Sequence, residues 1–112
     1  MFTFADVKVY IAMLRNSNIT QILCEFFKDK PVDKVWIFGS FSRGEERDDS
    51  DIDIIVAITP NAKFSLIDHS RWIYQLEDLL SRRVDLVKEG TLLPFAEESA
   101  NHDKILIYER AA

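Results

Sequence analysis

Cysteine occurs once in the 112 residues, and glycine and proline three times each. A single thiol, Cys24, excludes an internal disulfide framework. With no second Cys and no closely spaced His pair, the chain also offers no zinc site of the usual kind. Cys24 lies in an apolar segment and reads as a small packing residue rather than a reactive thiol. No apolar run approaches the roughly 20 residues that span a bilayer. The opening residues Met1, Phe2, Thr3 and Phe4 bring no early Lys or Arg, and Asp6 and Lys8 interrupt the apolar stretch, so no secretory signal is predicted. Positive charge is scarce: 14 Lys and Arg against 19 Asp and Glu give a net charge of −5, which argues against a general phosphate-backbone binder. No glycine loop ending in Gly-Lys-Ser/Thr and no dinucleotide glycine fingerprint occurs. What is present, 47% apolar residues without repeat or linker, predicts a single domain over 1–112 with a sizeable core in a reducing, cytoplasmic setting.

Periodicity supplies the element order. Phe4, Val7, Ile11 and Leu14 recur at helical spacing and predict an extra N-terminal helix within 1–18. A second helix is predicted from an Asn18 cap, with Ile19, Ile22, Leu23, Phe26 and Phe27 inward and Pro31 as its stop. Val35, Trp36, Ile37 and Phe38 then form an unbroken β-prone run, as in a strand covered on both faces, ending at Gly39 and Ser40. Residues 51–58 read as a second strand. Helical spacing returns over 64–80, with Leu66, Ile73, Leu76 and Leu80 as the predicted apolar stripe and Arg71, Gln75 and Asp78 facing away. Trp72 lies off the stripe's centre and suits either a core margin or a partner surface; His69 and His102 read as boundary or surface residues. A short strand over 84–87, a helix from Pro94 to about 101 and a last strand over 105–108 complete an α/β or α+β domain, a small mixed sheet with flanking helices.

The chemistry concentrates between Gly39 and Val56. Six of the nine residues from Glu45 to Asp53 are carboxylates. Glu45, Glu46, Asp48 and Asp49 precede the strand and read as a solvated loop. Asp51 and Asp53 alternate along the strand, so their side chains share a face with Cα atoms about 7 Å apart. Two negative charges ~7 Å apart repel by roughly 2 kcal/mol at an effective dielectric near 20. A divalent cation removes that penalty, and magnesium takes one or two carboxylates together with substrate phosphates. Asp-Ile-Asp alone fits a solvated strand end as well as it fits a metal cradle. Ahead of it, Gly39 allows the sharp turn that exposes backbone amides to a phosphate, Ser40 adds a hydroxyl, and Arg43 adds a fork-shaped cation.

Gly39, Ser40, Arg43, Gly44, Ser50, Asp51 and Asp53 together resemble the minimal nucleotidyltransferases of the polymerase-beta-like superfamily. Their pattern runs Gly-Ser, two residues, Arg-Gly, then Ser-Asp-x-Asp. Asp85, flanked by Val84 and Leu86, stands where that family carries a third carboxylate. The resemblance covers about 19–109. It implies a magnesium-dependent transfer of AMP from ATP to an acceptor hydroxyl, with Asp51, Asp53 and Asp85 as catalytic residues holding two Mg2+ ions. Gly39, Ser40, Arg43 and Ser50 would then form the nucleotide site. Stand-alone members of this size resemble the antitoxin half of toxin–antitoxin modules, whose partner is a HEPN RNase toxin and whose acceptor is a tyrosine of that toxin; the expected assembly is a hetero-oligomer or a homodimer. A binding module acting by occlusion and an enzyme modifying a small molecule such as an antibiotic stay open as alternatives.

Overall fold

The computed structural model describes residues 17–39, 51–91 and 102–110. The helices predicted within 1–18 and from Pro94 lie outside them except for the start of the next helix, as do Ser40, Arg43, Gly44 and Ser50. The described elements are α1 (Ser17–Phe27), β1 (Val32–Phe38), β2 (Ile52–Ile58), α2 (Leu66–Leu80), β3 (Val84–Lys88) and β4 (Ile105–Glu109). Helix α1 begins one residue before the predicted cap, and β1 is three residues longer at its start than the β-prone run suggested.

The strands form one mixed sheet in the order β3-β2-β1-β4. Strand β1 pairs antiparallel with both β2 and β4, while β2 and β3 run parallel. Parallel neighbours need a crossover, and α2 provides it. Both helices pack on one face. Leu23 and Phe27 of α1 and Trp72 and Leu76 of α2 bury themselves against Val32, Val35, Ile37, Ile52, Ile54, Val56, Val84 and Leu86. Phe27 meets Trp72 edge-on, with ring centroids 5.9 Å apart, joining the two helices. Trp72 is therefore core, whereas Leu66, predicted as part of the inward stripe, is 86% exposed at the first turn of α2. The stripe runs through Trp72 and Leu76 because the helix meets the sheet along its middle and end.

The second face of the sheet carries Trp36 and Ile55, with Phe38, Ala57 and Val87 packed against them. Lys104 Nζ sits 4.4 Å from the centre of the Trp36 ring. At one end of β1 and β2, Asp33, Thr59 and Arg110 tie the strands together. Thr59 donates to Asp33 at 2.7 Å, and Arg110 Nε donates to the Val32 carbonyl at 3.2 Å. Among the described residues no helix is long and apolar enough to cross a membrane.

Helix α2 is well started. Ser65 caps it in a capping box: its hydroxyl accepts from the Asp68 N–H at 3.1 Å, and the Asp68 carboxylate accepts from the Ser65 N–H at 3.0 Å. Those bonds from Ser65 hold the Asp68 carboxyl below its ordinary range. A lowered value means that the carboxylate favours the folded helix above the ordinary carboxyl range, and that this contribution fades as pH falls through the folded value. Asp68→Ala is expected to lower stability in urea at pH 7, with the gap to the wild type narrowing toward pH 3; an unchanged gap would show that the carboxylate plays no part.

Candidate active site

Three strands deliver the candidate residues to one end of the sheet. Phe38, the last residue of β1, pairs with Asp53 of β2, and Asp53 pairs with Asp85 of β3. Phe38, Asp53 and Asp85 thus form a row across neighbouring strands, which lie about 4.8 Å apart. The face of this row follows from apolar burial. Ile52 and Ile54 are fully buried on the helix side, and Val84 and Leu86 nearly so, which turns Asp53 and Asp85 to the opposite face. Slipping β3 by one residue would bury Asp85 against the helices and expose Val84 and Leu86.

Gly39 follows directly, in a left-handed conformation with φ +74°. A methyl group at Gly39 would overlap a carboxylate oxygen of Asp53 and lie 3.2 Å from its Cγ. Glycine is required here twice, for the turn and for the space. Asp53 is half-buried, whereas Asp51 and Asp85 are exposed. Asp51 lies one residue outside β2, and the ladder begins next to it, where the Ile52 N–H donates to the Arg83 carbonyl at 2.9 Å.

Among the described residues, no three of His, Cys, Asp and Glu are drawn close enough to form a metal-binding group as they stand. The donor set nevertheless suits a hard cation. Two carboxylates share a register position, a third lies two residues along the chain, and the missing side chain of Gly39 lets the Asp53 carboxylate lie against the turn. Charges ~5 Å apart repel by about 1 kcal/mol in bulk water and about 3 kcal/mol at an effective dielectric near 20, and the exposure of Asp85 favours the lower figure.

A model of the nucleotidyltransferase domain matches residues 17–111. The chain belongs to the nucleotidyltransferase domain family, and it is a nucleotidyltransferase. It is 35% identical to the provisionally named protein adenylyltransferase MJ1379 of Methanocaldococcus jannaschii, over 81% of this chain and 96% of that one. Protein adenylyltransferase MntA of Thermococcus cleftensis is 37% identical over 73% of this chain and 85% of its own. The fold is shared with a chain from the complex of a tri-AMPylated Shewanella oneidensis HEPN toxin with an MNT antitoxin. That match has TM-score 0.60 and 19% identity and covers 88% of this chain and 73% of that one.

Other reactive groups of this nucleotidyltransferase lie elsewhere. Cys24 donates to the Ile107 carbonyl at 3.3 Å, and burial, with the nearby Glu25 carboxylate, pushes its thiol up, away from thiolate chemistry. His102 is exposed. His69 is half-buried and bonded to β3, a contact that the spacing of the sequence did not reveal. Gly39→Ala is expected to destabilise the fold by at least about 1 kcal/mol, from the backbone conformation alone. The loss should shrink in an Asp53→Ala background, where the overlap is gone; equal losses in both backgrounds, measured by urea unfolding, would show that the two residues do not interact.

Proposed function

We propose that this nucleotidyltransferase transfers AMP from ATP to a tyrosine hydroxyl of a HEPN RNase toxin and so acts as its antitoxin. The observation that carries the reading is the row of Asp53 and Asp85 beside the Gly39 turn. The names of the relatives, and the AMPylated toxin bound to an MNT antitoxin in the structural neighbour, support the donor, the acceptor class and a toxin–antitoxin hetero-oligomer.

In this reading Asp51, Asp53 and Asp85 hold two Mg2+ ions, with Asp85 on the acceptor side. Gly39 exposes backbone amides to the terminal phosphates, and Ser40, Arg43 and Ser50 complete the nucleotide site from outside the described residues. Bound magnesium would neutralise the phosphate charge, ease deprotonation of the attacking hydroxyl and stabilise the departing pyrophosphate. The acceptor oxygen forms a bond to the α-phosphorus as the bond from that phosphorus to pyrophosphate breaks, and the hydroxyl proton leaves to solvent. Holding the reactants in line is the protein's main contribution, because positioning and charge stabilisation dominate phosphoryl-group chemistry.

Incubating the protein with its toxin partner, ATP and Mg2+ is expected to add the mass of one or more AMP groups at a tyrosine of the partner. The gain should disappear with Asp53→Ala. No gain with the wild type, or an equal gain with the variant, would overturn the catalytic reading. Full neutralisation of a co-expressed toxin by the Asp51→Asn, Asp53→Asn double variant would show that the antitoxin acts by occlusion.

A further inference from the structure

Among the described residues strand β3, five residues long, lies at the edge of the sheet, and it carries Asp85. In a parallel strand, alternate residues turn both backbone groups to the same side. Residues 83, 85, 87 and 89 face β2: the Arg83 carbonyl accepts from the Ile52 N–H, and the Glu89 N–H donates to the Val56 carbonyl at 2.8 Å. Val84, Leu86 and Lys88 therefore turn their backbone groups outward, where no strand follows among the described residues. Two of these outward groups are taken by α2. The Val84 N–H donates to the Glu77 carboxylate at 2.9 Å. The Leu86 carbonyl lies 2.6 Å from His69 Nε2; a carbonyl only accepts, so Nε2 carries the hydrogen.

These two bonds grip the residues immediately before and after Asp85. His69 and Glu77 are eight residues apart, just over two helical turns, so both project from the face of α2 that turns to the sheet. Trp72 and Leu76 are buried between them and anchor that face. The His69 ring is itself held by Phe64, which packs edge-on with centroids 5.9 Å apart. A strand hydrogen-bonded to a neighbour on one side only, as β3 is among the described residues, can shift or move outward more easily than a central one. The grip from α2 opposes that movement.

We propose that His69 and Glu77 are positioning residues that hold Asp85 in register with Asp53, so that the pair binds a divalent cation without the edge strand shifting. This inference rests on the proposed role of Asp85 in metal binding. Neither side chain touches the cation; each acts through a backbone group next to the ligand, as outer-sphere partners do in metal sites.

The test uses the full chain, with Mn2+ as the probe, titrated and followed by electron paramagnetic resonance, and with amide hydrogen exchange across 84–88. His69→Leu and Glu77→Ala are expected to weaken Mn2+ binding by roughly 10-fold and to speed exchange in β3. His69→Gln keeps an N–H donor and Glu77→Gln keeps an acceptor, so both should restore binding. Faster exchange with unchanged Mn2+ affinity in Glu77→Ala would overturn the proposal, as would failure of both Gln variants to restore it. Should His69→Leu not fold, the Glu77 pair carries the test alone. Asp85→Asn separates the two readings: if it leaves Mn2+ binding intact, the assigned role of Asp85 fails; if it abolishes binding while Glu77→Ala does not weaken it, only the positioning inference fails.

Discussion

Parallel pairing of β2 with β3 sets two carboxylates at one register position, and burial on the far side of the sheet keeps them there. Ile52, Ile54, Val84 and Leu86 must all meet the helices, and that requirement fixes the orientation of Asp53 and Asp85. The apolar side of the sheet thus determines the polar side. The burial that sets this orientation is strong: fully burying one Leu or Ile side chain is worth roughly 1.5 to 3 kcal/mol.

Helix α2 links this register to the rest of the molecule. It makes the crossover that parallel strands require, and its side chains take two backbone groups at the outer edge of β3. Its first turn is secured by Ser65 and Asp68, and its end by Ser81, whose N–H donates to the Glu77 carbonyl from a left-handed conformation. The residue at the C-terminal cap and the side chain that grips Val84 are thereby joined through Glu77.

Much of this was legible in the sequence because the signals were local. Alternation in 51–58 and the apolar neighbours of Asp85 located both carboxylate-bearing strands, and Gly39 after an apolar run marked the turn. The pairing of Asp53 with Asp85 was not legible from spacing, since the register of residues 32 apart depends on how α2 packs; the family resemblance supplied the expectation that they meet. The inward stripe of α2 was misplaced at Leu66, because helical period gives a face but not the point where the helix reaches the sheet. The partners of His69 and Glu77 were not legible, as they are backbone groups that carry no residue-type code. Asp51 stands one residue outside β2, so strand alternation alone does not fix its face.

If Asp53 and Asp85 bind one cation together, as proposed, each contributes to the effect of Mg2+ on stability. Thermal unfolding of the wild type, Asp53→Asn and Asp85→Asn, each with and without Mg2+, measures that contribution. Mg2+ is expected to raise the midpoint of the wild type, and each substitution, by removing one ligand, to shrink that rise. A rise for Asp85→Asn as large as that of the wild type would show that Asp85 is not a cation ligand.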